Sequence, residues 1–526
     1  MTAQTVAPYH SPLSLERDSF WHLVHAEWIK FRTVRGWVIA VLVTIAAITA
    51  FVFVASGVSH SCVASGGPSA CPVQPTGPGG VPVVDAFYFA HQPVTGNGMI
   101  TVQVTSLTGQ VEVGQSGNGA PEMGPGLQPW SKAGIIVKEN TSEGSAYAAM
   151  MVTGSNGVRM QWDYVNDTPG LAGRVSAAAP RWLRLVRDGG TITGYDSADG
   201  THWTLVGTAA LPRLTSTVQA GLFAAGSYYE SRSCTLDSNF CTRATGVFRH
   251  IDLSWRATGW TGTNVGGPSS GVPAPGTLRR SAGALTVASF GDIGPGAGTA
   301  YGGTGQSLQR ALDGTFFGLI PLIVVAAMFM TAEFRRGLIR VSLTAAPRRG
   351  RLLAAKAVVI GAVGFVAGLA TATLALTVGT PLLRRSGGLA WPVSLLSEAR
   401  MVAGTGALLA VAAVLALAIG TIVRRSAPAV AIAILVTVVP YLLAFHSGSQ
   451  PRGSGPGGGG GWPLQFTPAA ALSVQQAVPQ FHQLLAVYPL QAGYYPLAPW
   501  AGLAVECAWA AAALTVAFLL LRRRDA

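Results

Sequence analysis

The chain has 526 residues, of which 11% are charged and 49% hydrophobic, and its mean hydropathy is +0.40. Soluble globular proteins carry about 25% charged residues, so this composition excludes an ordinary soluble domain and points to membrane spans. The net charge of +13 lies in short clusters beside apolar runs, the arrangement that orients spans. It does not form one soluble basic patch, and no nucleic-acid partner is expected.

Residues 1–36 form a polar lead. Within it, FWHLVHAEWIKFRTVRGW (20–37) places Phe20, Leu23, Val24, Trp28 and Phe31 at helical spacing with basic residues between them. An amphipathic helix in the headgroup layer has this pattern; periodicity alone fits an ordinary anchoring flank equally well. The first apolar run is too long for a signal h-region and begins after a long polar stretch, so it is expected to remain as a span.

A span needs about 20 mostly apolar residues. Six runs meet this, near 37–57, 314–332, 355–379, 401–422, 428–446 and 499–521. Lys30, Arg32 and Arg35 precede the first. The stretch Met330–Lys356, between the second and third, holds seven Lys/Arg residues against Glu333 alone. Arg424 and Arg425 join the fourth to the fifth in a tight hairpin, and Arg522, Arg523 and Arg524 follow the sixth. The positive-inside rule puts these four places, and both termini, in the cytoplasm. Arg384 and Arg385 fall on the other side, against the trend. Glu506, inside the last run, is expected near the outer boundary in reach of water.

Residues 58–313 then lie outside. Cys62 and Cys71 are neighbours in sequence there, as are Cys234 and Cys241, and two short-range pairs suit disulfides in an oxidising compartment; free thiols or a different pairing remain open. Neither pair has the spacing of a zinc site, and no metal site is expected. The region alternates short apolar runs with turns such as Asp188-Gly189-Gly190 and Asp199-Gly200, which predicts a β-sandwich over about 85–255. Residues 256–312 are Gly/Pro/Ser-rich and read partly as linker, with a further strand near 284–290. A second Gly-rich tract, 446–462, precedes WPLQFTPAAALSVQQAV, read as a helix at the outer surface. The expected fold class is thus an α-helical polytopic membrane protein with six spans and an inserted all-β extracellular sandwich.

Two resemblances sharpen this. The segment RWLRLVRDGGTITGYDSADGTHWTLVG (181–207), with PWSKAGIIVKEN before it, resembles the concanavalin-like (laminin-G/glucanase-like) sandwiches. That resemblance implies carbohydrate as a ligand, and Trp130, Trp182, Trp203, Tyr228 and Tyr229 are the candidates to stack on sugar rings, against packing as their alternative role. No Glu-x-Asp-x-x-Glu run is present, and hydrolysis needs two carboxylates flanking one bond, so glycosidase activity is not expected.

On the cytoplasmic side, AEWIKFRTVRGW before the first span and TAEFRRGLIRVSLTAAPRRGRLLAAK between the second and third resemble the permease subunits of ABC exporters of the ABC-2 type. The matching positions are Glu27, Lys30, Arg32, Glu333, Gly337, Pro347, Arg349 and Lys356. The large domain between the first two spans departs from that family's pattern. The resemblance implies a coupling loop at 333–354 that docks on an ATPase, with Phe334, Arg335 and Arg336 in the contact. None of the four lysines lies in a G-x-x-x-x-G-K-[ST] phosphate loop. ATP and Mg would therefore sit on a separate cytoplasmic ABC ATPase subunit, with no cofactor in this chain, and a second permease copy or paralogue would complete the pore. The expected setting is the plasma membrane of a bacterium, with lipid on all sides and cell-wall carbohydrate near the sandwich. A non-transporting surface receptor is the alternative; no nucleophile–base or metal cluster suggests a membrane enzyme.

Overall fold

The computed structural model describes residues 19–58, 75–115, 121–227, 242–256, 258–266, 275–281, 283–297, 305–306, 308–335, 337, 348–385, 389–447, 462–484, 490 and 494–524. Two bodies make up the protein, a β-sandwich and a bundle of helices. Among the described residues six helices are long and apolar enough to cross a membrane: Arg35–Phe53, Leu308–Arg335, Arg349–Leu382, Leu395–Val423, Ser426–Ala444 and Pro499–Arg523. Each overlaps one of the six apolar runs.

Helix α1 (Phe20–Thr33) starts at Ser19, whose hydroxyl accepts from the Trp21 amide, and stops at the extended residue Val34. Helix α2 (Arg35–Val58) follows at once. Beyond the sandwich come α3 (Thr315–Arg335), α4 (Arg349–Arg385) and α5 (Leu395–Val423). Ser394 caps the start of α5, and Arg424 ends it in the left-handed region at φ 63°. Only Arg424 and Arg425 separate α5 from α6 (Ser426–Thr437), which α7 (Val439–Ser447) continues. The last helix is α8 (Pro499–Arg524). One apolar core runs through all these helices, from Phe31 of α1 to Leu521 of α8.

The outer-surface helix expected near 462–478 is not found. Residues Pro468–Gln475 instead form a 3-10 segment with all eight residues buried. It is held by Gln475, whose amide donates to Thr315 Oγ1 at 2.8 Å and Thr405 Oγ1 at 3.1 Å. Its small residues, Ala469, Ala470, Ala471 and Ser473, explain the difference: they let the backbone lie close to α5 and α8.

The sandwich is two antiparallel sheets of eight strands each. The first contains β1 (Val83–Thr95), β4 (Lys132–Lys138), β5 (Tyr147–Thr153), β6 (Val158–Trp162), β7 (Asn166–Pro169), β11 (Thr217–Ala225), β13 (Thr261–Val265) and β16 (Asp292–Pro295). The second contains β2 (Gly98–Gln115), β3 (Pro121–Pro125), β8 (Arg181–Asp188), β9 (Thr191–Ser197), β10 (Thr204–Ala210), β12 (Thr242–Leu253), β14 (Thr277–Ser281) and β15 (Ala284–Ser289). Side chains alternate across each strand, so Ile135 and Val137 enter the core shared by the sheets while Ile136 joins Phe87, Phe89, Tyr147 and Phe223 on the far face. The central strands β4 and β5 of the first sheet are buried on both faces.

The strands continue past residue 255, where the composition suggested a linker. β13 pairs with β1, β15 with β12, and β16 with β1, so the stretch before the second span completes both sheets. An apolar cluster of Val84, Ala86 and Phe290 from the sandwich with Trp391, Val478, Leu484 and Tyr494 seats it on one end of the helices. Gln483 adds a hydrogen bond to the Val165 carbonyl at 3.0 Å.

Candidate functional site

The far end of the bundle carries a four-charge cluster. Glu333 lies 18 residues into α3, about 27 Å along the axis from the sandwich end. Glu27 and Lys30 come from α1, one turn apart on one face, and Lys356 from the second turn of α4. Lys356 Nζ donates to Glu27 Oε2 at 2.7 Å and to Glu333 Oε1 at 2.8 Å. Lys30 Nζ donates to Glu27 Oε1 at 2.6 Å and to Glu333 Oε1 at 3.3 Å.

Two cations and two anions thus close a neutral ring through three helices. The side chains of Lys356 and Glu27 are 0% and 1% exposed, that of Glu333 10%, and that of Lys30 44%. Burial alone would lower the Lys30 pKa; the hydrogen bond it donates to Glu27 and the charges of Glu27 and Glu333 outweigh it and raise the value. Lys356 Nζ also sits 4.3 Å from the Phe329 ring centre, a cation–π contact. Phe31 and Trp37 close on that ring edge-on, with centroids at 5.8 Å and 5.2 Å. Glu333 Oε2 is buried with no hydrogen-bond partner among the described residues.

Around this ring stand further basic residues. Arg424 lies 5.0 Å over the Phe334 ring. Arg349 donates to the Leu521 carbonyl at 2.6 Å, tying α4 to the end of α8. Arg335 is exposed, and Gly337 takes φ 69°, a left-handed turn just past α3 that a side chain would strain. Arg336 and Pro347 lie outside the described residues, as do Cys62, Cys71, Cys234, Cys241, Tyr228 and Tyr229. Glu506, expected near water, is 3% exposed, turned into the packed side of α8.

The candidate sugar-stacking residues divide. Trp130 is 6% exposed with Arg159 at 5.5 Å over its ring, so it is packed rather than offered to solvent. Trp182 stacks on His250 at 5.5 Å, and the Arg184 guanidinium lies 3.8 Å over Trp203, on the side of the second sheet away from the core.

Two buried lysines of β4 carry no signal in the sequence. Lys132 meets Asp292 at 2.6 Å, and Lys138 meets Asp85 at 2.6 Å, with all four side chains fully buried. Tyr164 OH also donates to Asp85 Oδ2, at 2.6 Å. Burial pushes the Lys138 ammonium below its ordinary value, against the opposing charge of Asp85. Burial likewise raises the neighbouring Asp163 to about 6, opposed by a backbone hydrogen bond at Tyr147 and the charge of Lys138. Both pairs tie separate strands of the first sheet. Among the described residues no group of three or more His, Cys, Asp or Glu is placed to hold a metal ion.

No family model matches the chain, and none of the curated proteins is significantly similar to it. Several solved structures overlap it in part. A functionally unknown protein from Saccharomyces cerevisiae is 14% identical over 32% of this chain and 74% of its own, with a TM-score of 0.20. The GH43 protein BlXynB from Bacillus licheniformis is 14% identical over 24% of each chain, at 0.16. Scytalido-glutamic peptidase is 7% identical over 39% of this chain and 98% of its own, at 0.23. Scores this low establish no shared fold.

Proposed function

We propose that this chain is the membrane-spanning permease subunit of an ATP-driven exporter of the ABC-2 type. One observation carries the reading: Glu27, Lys30, Glu333 and Lys356, four of the positions on which the resemblance rests, meet in one ring that is buried except at Lys30. The ring locks α1 to the end of α3 and the start of α4, the two ends of the basic loop. A push on that loop is then passed to α1 and to two apolar helices together. This is the mechanical task of a transport subunit whose ATP, with Mg, is hydrolysed on a separate cytoplasmic subunit.

In this reading the six apolar helices cross the plasma membrane. Lys30, Arg32, Arg35, Arg335, Arg424, Arg425, Arg522 and Arg523 all belong to one end of the bundle, and the positive-inside rule makes that end cytoplasmic. Both termini are then inside, the sandwich is outside, and a second permease completes the pore. The chain itself is not the enzyme. The direct test is purification of the tagged full-length chain from its own membranes. A Walker-motif ATPase in stoichiometric amount is the expected result; repeated purification of an intact, folded chain with no ATPase would sink the assignment.

Trp182 and Trp203, half-exposed aromatic side chains of the second sheet's outer side, support a second role, carbohydrate contact by the sandwich. A glycan array probed with the full chain in detergent tests it: binding lost on Trp182→Ala is expected, and no binding to any glycan defeats it.

A further inference from the structure

A cavity of about 640 Å³ opens where α5 and α8 begin, at the sandwich end of the bundle. Leu396, Ser397 and Arg400 of α5, Gln476 and Val478 of the strap after the 3-10 segment, and Trp500 of α8 line it. Its size falls in the range of small-molecule sites, about 300–1,000 Å³. Arg400 is the one charged residue among the described residues of its wall. The guanidinium is partly buried and gives one N–H to the Gln476 carbonyl. Arginine carries five such donors in a planar fork, so the same group that fixes the strap has hydrogens left for an anion. Among the described residues no acid lines the cavity. Glu398 is two positions from Arg400, and residues so spaced do not share a helix face.

The rim is apolar. Leu395 and Leu396 are 83% and 84% exposed and Trp500 is 56% exposed. Two adjacent leucines this bare gain nothing in water. Beside acyl chains they are at home, and tryptophan favours the boundary between lipid and water. A cationic wall, hydroxyl and amide groups within, and an apolar rim together suit an amphiphile with one anionic head.

We propose that this cavity holds the phosphate headgroup of an anionic phospholipid taken from the leaflet on the sandwich side. The phosphate pairs with Arg400, Ser397 and Gln476 bind the polar head beside it, and the acyl chains run along Leu395, Leu396 and Trp500. The inference rests on the helices spanning a membrane but not on the ATPase partnership. Its assay reads bound lipid alone, so failure here leaves the transport reading untouched.

Native mass spectrometry of the full-length protein, delipidated and then exposed to phosphatidylglycerol or phosphatidylcholine, tests it. One tightly retained phosphatidylglycerol per chain is expected, with phosphatidylcholine retained more weakly. Arg400→Gln should weaken retention about tenfold, as expected for one charge-assisted contact to phosphate, and Arg400→Lys should keep most of it. Because Arg400 also braces the strap, Ser397→Glu is the second probe. It sets an anion in the cavity, and glutamate at the third position after the Ser394 cap suits the helix start. It should expel the lipid while the thermal midpoint holds. Equal retention of the two lipids, or undiminished retention in both Arg400→Gln and Ser397→Glu, would overturn the proposal. So would displacement of the lipid by inorganic phosphate, which would make the site one for a free anion.

Discussion

Lys356 and Glu27 are 329 positions apart in the chain, yet their charged atoms meet at 2.7 Å with both side chains shut off from solvent. Breaking a buried ion pair by removing one partner costs about 3–5 kcal/mol, because the other charge stays buried and uncompensated. Lys356→Met leaves Glu27 and Glu333 facing each other with only the half-exposed Lys30 to share. It should therefore lower the thermal midpoint in detergent strongly. Glu27→Gln combined with Lys356→Met should be less unstable than the sum of the single changes, with a coupling energy above about 1 kcal/mol. Strict additivity in that double-mutant cycle would mean that the ring is not a working contact.

Arg335 gives the complementary experiment. It is exposed and outside the ring, so Arg335→Ala should leave stability within about 0.5 kcal/mol of the parent. On the transport reading it should still uncouple the partner ATPase from transport, or weaken its binding. An Arg335→Ala protein with full coupling would remove this residue from the contact.

The six apolar helices were legible because length and hydropathy are local properties. The ring was only half legible. Leu23, Glu27 and Phe31 are four apart and share a stripe, but a pattern of apolar residues passes over a carboxylate, whose reason for being buried is 329 positions away. The sandwich was legible where alternation is clean, as in Arg181–Asp188, which has one face in the core. The strand Lys132–Lys138 was also legible, from AGIIVKEN, but its burial on both faces was not, because it carries a lysine at each end. The Gly- and Pro-rich tail was legible only at its predicted strand, found at Ala284–Ser289. Asp292–Pro295 reads as a loop, yet it is fully buried as the last strand, because Asp292 neutralises Lys132.

Asp163 makes the sandwich sensitive to pH. Its folded-state pKa is raised from 3.8 to about 6. A carboxyl raised in this way contributes stability that is fully present below 3.8 and is lost as pH climbs through about 6. Glu143 is shifted the same way, mainly by burial. Asp163→Asn should remove its share of the decline between about pH 4 and about pH 7, leaving that of Glu143 and the other raised carboxyls, and stabilise the protein at neutral pH. The gain should not exceed ~1–2 kcal/mol once screening of this partly exposed group is allowed for. Asparagine also tolerates the left-handed backbone at this position, φ 46°. Calorimetry of the full chain at the two pH values reads the effect, and an unchanged pH slope in the variant would rule Asp163 out as its source.

The 3-10 segment Pro468–Gln475 fits between α5 and α8 only because of two glycines. A Cβ at Gly502 would lie 2.1 Å from the Ala470 carbonyl oxygen and 2.1 Å from Ser473 Oγ. The first of these is backbone and cannot rotate away. A Cβ at Gly404 would lie 2.1 Å from Val474 Cγ2, the tip of a side chain that can change rotamer. At Gly361, by contrast, the nearest atom is Val414 Cγ2 at an ordinary 3.4 Å. Overpacking typically costs about 1–3 kcal/mol, whereas alanine for glycine inside a helix gains up to about 1 kcal/mol. Gly502→Ala should therefore be the most destabilising of the three, Gly404→Ala intermediate, and Gly361→Ala neutral or stabilising. Because Gln475 ties this segment to Thr315 and Thr405, Gly502→Ala should also loosen α3 against α5. Hydrogen exchange at Thr405–Leu409 reports that loosening, and exchange there that matches the parent would show that the segment is not what holds these helices together.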